Sequence, residues 1–265
     1  MKEYRKKGIY LIPNLFTTGN LFSGFFAIIS VFNDKYIVAA IAILIAIIFD
    51  SLDGKVARIT KTTSQFGIEY DSLSDLVSFG IAPGLLIYSW ALNSYGRIGW
   101  IAVFLFVACG ALRLARFNVQ ISTVENKHFI GFPIPSAAGI IATTVLLDNH
   151  FMIMGKEIKP IMILIITYSL AFLMVSNIRY RNFKELRLKD RKPFNFLVGS
   201  VLILILFVAE PQIMLFGFFS LYALSGIGEK PLRLLVRKMF RRDASEPEKE
   251  IEDLEDLEDN EIVIR

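Results

Sequence analysis

Cysteine and histidine are nearly missing from this chain, with one Cys (Cys109) and two His (His128 and His150) in 265 residues. A single thiol excludes an intrachain disulfide, and Cys109, inside an apolar run, reads as a small core residue. His128, in a polar loop, reads as a solvated side chain rather than a base. No glycine-rich phosphate loop, nucleophile elbow or internal repeat occurs. Charge is also scarce over long stretches. Asn14–Phe32 carries none, and comparable runs follow at Tyr36–Phe49, Leu76–Tyr95, Ile98–Leu112, Phe132–Leu147, Pro160–Ile178, Phe194–Ala209 and Pro211–Ile227. One cleaved signal peptide does not account for so many runs, so a secreted soluble protein is excluded.

What the chain does have is apolar bulk: 54% hydrophobic residues and 23 Phe, with a mean hydropathy of +0.52. Asn14–Phe32 approaches the roughly 20 residues that span a bilayer core as helix. The runs together predict an all-α integral membrane protein with about eight transmembrane helices. A net charge of +4 could suggest nucleic acid, but the distribution of charge argues otherwise. With the N-terminus in the cytoplasm, one side holds Lys2, Arg5, Lys6, Lys7, Lys55, Arg58, Lys61, Arg113, Arg116, Lys127, the run Arg179–Lys192 and the segment Lys230–Arg242. The other side holds only Lys35, Arg97, Lys156 and Lys159. This is the positive-inside asymmetry of a polytopic protein, and an even span count keeps both termini cytoplasmic. The basic, partly aromatic Met1–Leu11 suits anionic headgroups. Asp243–Arg265, with eleven acids and two bases, reads as a disordered or weakly helical cytoplasmic tail.

Against that apolar background stand four acids, in the pattern D-x-x-D-G-x-x-A-R-x8-G-x3-D-x3-D formed by Asp50, Asp53, Gly54, Ala57, Arg58, Gly67, Asp71 and Asp75. Each acid costs roughly 2.5–3.5 kcal/mol at the centre of a membrane helix, so four oppose insertion by on the order of 10 kcal/mol. A bound divalent cation is the simplest compensation. Asp50 and Asp53 lie three apart and Asp71 and Asp75 four apart, so each pair shares a helix face. The short stretch Ile59–Phe66 predicts two antiparallel neighbours that bring the pairs together. Carboxylates without Cys or His favour Mg²⁺ or Mn²⁺, with Ca²⁺ as an alternative, over zinc. An EF-hand loop does not fit the spacing. Gly54 and Gly67 leave room for a flat or phosphorylated ligand, and Arg58 offers a fork to phosphate oxygens. Asn14, Thr17, Thr18 and Asn20 make one end of the first span polar, either as caps and internal hydrogen bonds or as a wall for a nucleotide base. Arg113 and Arg116, three apart, either reach the aspartate cavity or snorkel to the interface. Gly131-Phe132-Pro133-Ile134-Pro135 gives the fifth span a stiff entry.

The Asp50–Asp75 pattern matches the signature of the CDP-alcohol phosphatidyltransferase family at every defining position. Pro13–Thr17, Asp71–Gly80, Gly110–Asn118 and Gly131–Pro135 resemble the serine-accepting branch. The resemblance covers roughly the first 150 residues. It implies a six-helix core around a cytoplasm-facing cavity, here residues 13–178, preceded by a basic segment over 1–12. A basic loop over 179–193, two additional spans over 194–228 and a tail over 229–265 would follow. It implies transfer of the phosphatidyl group of CDP-diacylglycerol to the hydroxyl of L-serine, with two divalent cations per site. Asp50, Asp53, Asp71 and Asp75 would be the metal ligands, and Asp75 also the general base. Asn14, Thr17, Asp53, Gly54, Ala57, Arg58 and Gly67 would line the CDP-lipid site, and Arg113 or Arg116 would meet the acceptor. A homodimer in a prokaryotic cell membrane is implied as well. The alternatives are another acceptor, such as glycerol 3-phosphate or an inositol phosphate, and a cation transporter.

Overall fold

The computed structural model describes residues 11–60, 64–123, 129–151, 155, 158–180 and 193–226. The expected N-terminal segment, most of the basic loop, His128 and the tail lie outside these residues. Two compact units are present, Met1–Ala223 and Leu224–Arg265. The first contains every element that positions the site.

Eight helical runs occur among the described residues: α1 (Leu11–Phe32), α2 (Tyr36–Thr60), α3 (Gln65–Tyr95), α4 (Arg97–Thr123), α5 (Ile134–Phe151), α6 (Ile158–Val175), α7 (Pro193–Ala209) and α8 (Pro211–Gly226). The only exception to the all-helical plan among them is a two-residue antiparallel ladder, β1 (Phe129–Ile130) with β2 (Arg179–Tyr180). Five helices, α1, α2, α3, α4 and α6, are long and apolar enough to cross a membrane. A sixth span results if α7 and α8, bent by 119° at Glu210, count as one. The chain is an integral membrane protein. Its large outward side chains are apolar, including Phe22, Phe25, Ile29 and Phe32 on α1, Ile41, Ile45 and Ile48 on α2, and Ile165 and Phe172 on α6. In water such a surface would aggregate; in lipid it is the solvated face.

The difference from eight apolar spans is sharpest at α5. Ala137, Ala138, Gly139, Ile141, Ala142, Thr143 and Thr144 are all buried, so this helix faces protein rather than lipid and tolerates Asp148 and two threonines. Thr143 and Thr144 satisfy their hydroxyls on the carbonyls of Gly139 and Ile140, both at 2.7 Å.

Small residues let the helices approach closely. Ala39, Ala40, Ala42 and Ala46 form the buried side of α2, and the Phe49 ring lies 3.0 Å from where a Cβ on Gly19 would stand. The α1–α2 turn is made by Asn33 to Lys35, with Asp34 at φ 57°. The Tyr36 hydroxyl donates to the Asp34 carboxylate at 2.7 Å.

Ser64 caps α3, its Oγ accepting from the Gly67 amide at 3.0 Å. The helix starts eleven residues before the apolar run at Leu76, so it carries Asp71 and Asp75 inside its body. It is α-helical over Gln65–Asp75 and Ala82–Ile87 but widens to π turns over Leu76–Ile81 and Tyr88–Leu92. Pro83 follows the first π turn; it offers no N–H and its ring needs space, which the wider turn supplies.

α2 and α3 are in contact, through Leu76–Ile87, and bring Asp50, Asp53 and Asp71 together, but Gln65–Asp75 packs chiefly on α1. The hairpin is therefore open at its aspartate end, with α1 forming the third wall. Ser74 Oγ donates to the Thr17 carbonyl at 3.1 Å and Ser78 Oγ to the Asn20 carbonyl at 2.9 Å, fastening α3 to α1.

Candidate active site

Carboxylate oxygens of Asp50, Asp53 and Asp71 lie within 4.8 Å of one another across the open end of the hairpin. Asp53 is buried and accepts from Thr17 Oγ1 at 3.0 Å. Asp75, also buried, accepts from Asn20 Nδ2 at 3.0 Å, and its side chain lies against that of Asp50. All four acids thus share one environment, two from α2 and two from α3, with α1 supplying hydrogen bonds to Asp53 and Asp75.

Asp71 Oδ1 is buried with no hydrogen-bond partner, and so is Asn20 Oδ1. An unpartnered buried carboxylate oxygen is costly unless something positive meets it. Converging acids with one such orphan fit a hard divalent cation, and the all-oxygen donor set fits Mg²⁺, Mn²⁺ or Ca²⁺.

Beside the acids opens a cavity of about 170 Å³ lined by Pro13, Asn14, Thr17, Asp53, Gly54, Ala57, Arg58, Ser64, Gly67, Ile68 and Asp71. Asn14, Thr17, Asp53, Gly54, Ala57, Arg58 and Gly67 of the sequence reading are on this wall, whereas Thr18 and Asn20 are not among its lining residues. Gly54 faces open space, with nothing within 4 Å of where a Cβ would stand. Gly67 lies under Ser64 Oγ and Asn14 Oδ1, at 3.2 and 3.5 Å from the same hypothetical atom.

The two arginines part company. The half-buried Arg113 guanidinium sits within electrostatic range of Asp75, Asp50 and Tyr222 and lies 5.5 Å over the Phe117 ring. Arg116 Nη2 instead donates to Asn177 Oδ1 at 2.8 Å, beyond the end of α6.

Ser64 and Tyr222 escaped the sequence reading as site residues, and Asn20, read there as a cap or part of a nucleotide wall, instead donates to Asp75. Asn20 lies three after Thr17, on the same helix face, and that spacing was the available signal. Ser64, three before Gly67, carries an N-cap signature. Tyr222 has no local signal at all.

Residues 10–177 match the sequence model of the CDP-alcohol phosphatidyltransferase family. The chain belongs to that family. Among curated CDP-alcohol phosphatidyltransferase relatives, a Helicobacter pylori protein named CDP-diacylglycerol–serine O-phosphatidyltransferase is 40% identical over 237 residues, 89% of this chain and 98% of the relative. A Bacillus subtilis protein of the same name is 36% identical over 174 residues, 66% of this chain and 92% of that shorter relative. An archaetidylserine synthase of Methanothermobacter thermautotrophicus is 38% identical over 182 residues, 68% of this chain and 73% of the relative. The matched segment contains α1 to α6 and all four acids; α7 and α8 lie outside it.

Proposed function

We propose that this protein transfers the phosphatidyl group of CDP-diacylglycerol to the hydroxyl of L-serine, giving phosphatidylserine and CMP. The observation that carries this reading is the convergence of Asp50, Asp53 and Asp71 beside a cavity walled by Gly54, Ala57, Arg58 and Gly67. The names of the relatives support serine as acceptor.

Asp50, Asp53, Asp71 and Asp75 would hold two divalent cations, Mg²⁺ or Mn²⁺, which supply charge neutralisation to the diphosphate and to departing CMP. Asn14, Thr17, Gly54, Ala57, Arg58 and Gly67 receive the CDP head while the acyl chains stay in the membrane. Arg58 meets phosphate oxygens. Asp75, oriented by Asn20, takes the proton of the serine hydroxyl. The serine oxygen forms its bond to the β-phosphorus as the bond from that phosphorus to CMP breaks, and CMP leaves with the electron pair. A serine hydroxyl is a weak acid, so positioning and a nearby base act together. The site faces the cytoplasm, as do both termini, and eight helices cross or line the membrane, as a core over 13–178 with two further helices over 194–228. The homodimer of the family resemblance is part of the same reading.

The test is CMP release from CDP-diacylglycerol in vesicles containing purified protein, across L-serine, glycerol 3-phosphate and an inositol phosphate, with and without Mg²⁺ or Mn²⁺. Release should require serine and metal, and Asp75→Asn should lower it at least about 100-fold. Release with another acceptor but not serine would reassign the substrate. Cation flux without CMP release would replace the enzyme by a transporter.

A further inference from the structure

A second polar feature adjoins the acids, formed by residues outside the cavity lining, and the region that matches the family supplies only half of it. Arg113 projects from α4 within range of Asp75 and Asp50, and its third electrostatic neighbour is Tyr222 of α8. Tyr222 lies well outside residues 10–177.

The packing holds Tyr222 in place. Its ring rests on Phe132, with centroids 5.8 Å apart and planes at 38°. Phe132 is fully buried and anchored by its own amide to the Leu173 carbonyl at 3.0 Å, next to Gly131, whose amide bonds the Ile178 carbonyl at 2.9 Å. Gly131 has φ 86°, and a Cβ there would stand 2.3 Å from the Met174 carbonyl oxygen, so only glycine permits this close turn. One helical turn before Tyr222, Phe219 sits against Gly139 of α5, where a Cβ would come within 2.6 Å of the ring. α8 is thus seated by an aromatic residue in a glycine notch, and Tyr222 is aimed by a second aromatic contact. Arg116 is engaged by Asn177, which leaves Arg113 as the α4 arginine beside the acids.

We infer that Arg113 and Tyr222 together form the seat for the acceptor's carboxylate, with the α8 phenol acting as a specificity residue for an α-amino-acid acceptor. This rests on the serine reading above. A carboxylate takes donors at both oxygens; a guanidinium and a phenolic hydroxyl supply them. In serine one carbon separates the hydroxyl-bearing carbon from the carboxylate carbon. An acceptor held at its carboxylate by Arg113 therefore presents its hydroxyl towards Asp75. The shorter Bacillus subtilis relative is also named CDP-diacylglycerol–serine O-phosphatidyltransferase, so the expected effect of Tyr222 is on acceptor affinity and discrimination rather than on the existence of turnover.

Tyr222→Phe removes one oxygen and keeps the ring on Phe132. In serine-dependent CMP release this variant should raise the KM for L-serine about tenfold, the scale of a lost hydrogen bond to a charged group. The KM for CDP-diacylglycerol and the thermal midpoint should stay at wild-type values. L-serine methyl ester, which keeps the hydroxyl and lacks the carboxylate charge, supplies the control. Wild-type preference for serine over the ester should fall by about the same factor in the variant, a ratio independent of how much protein is folded. An unchanged serine KM, or equal losses with serine and ester, would overturn the inference while leaving serine as acceptor. Wild-type protein that ignores serine and uses another acceptor would overturn the serine reading itself, and this inference with it.

Discussion

Gly54 sits where α2 passes the cavity beside the acids, and a side chain there would project into space the fold leaves open. Replacing it tests ligand contact with little disturbance of packing. Gly54→Val should give protein with a near-wild-type thermal midpoint but a KM for CDP-diacylglycerol raised about tenfold or more, the scale of one steric intrusion into a fitted site. An unchanged KM would remove Gly54 from the lipid-nucleotide wall. At this scale much of the site is legible in the chain. Intervals of three and four place Asp50 with Asp53 and Asp71 with Asp75 on helix faces, and an acid in an apolar run demands a compensating charge. Arg113 and Arg116 show where such reading stops. Both satisfy the same spacing argument, and only the position of Asn177, after α6, assigns Arg116 elsewhere. Tyr222 is invisible for the same reason, because its neighbours are set by the docking of α8.

The contact of α1 with α3 sets the register on which the acids depend. Gly24 of α1 lies so close to Ser78 that a Cβ would stand 2.2 Å from the serine oxygen and 2.6 Å from its Cα. The Ser74 and Ser78 hydroxyls bond α1 carbonyls one turn apart, each worth about 0.6 kcal/mol on membrane averages. Gly24→Leu must push the helices apart. It should cost about 1–3 kcal/mol, read as a lowered thermal midpoint in detergent, and it should depress turnover because Asn20 and Asp75 move apart. Full stability together with full activity would show that this crossing does not hold the site. Helix identity was legible from apolar length, and the α2 to α3 boundary from the short polar stretch near Ile59–Phe66. The π turns of α3 were not. Periodicity assumes a constant 3.6 residues per turn, and the widening at Leu76–Ile81 answers to Pro83 and to packing. The opening of the hairpin by α1 was equally hidden, since it depends on a third helix.

For the whole molecule, the proposed cytoplasmic orientation of the site rests on the asymmetry of Lys and Arg, and the acids lie near Lys55 and Arg58 at the more basic end. At the less basic end, Lys159 pairs with the buried Asp148 at 2.7 Å and lies 4.5 Å over the Trp90 ring. The one native thiol, Cys109, is buried, so a Cys109→Ala background allows clean labelling. In that background Lys35→Cys should react with an impermeant maleimide on intact cells, and Lys55→Cys only in inside-out vesicles. The reverse pattern would put the site on the wrong side for a cytoplasmic nucleotide. Composition made the membrane class legible, but an apolar run alone did not separate a lipid-facing span from a buried inner helix. α5 belongs to the second kind because protein surrounds it, so threonine and aspartate stand where lipid would exclude them.

The central claim is that acids from α2 and α3 jointly hold the cations on which transfer depends. It is tested most directly by serine-dependent CMP release from chelator-stripped protein titrated with Mn²⁺, wild type beside Asp71→Asn. The account predicts no release before metal is added, full recovery in the wild type, and a requirement for at least about tenfold more metal in the variant. Turnover by stripped wild-type protein, or the same metal curve for both, would contradict it.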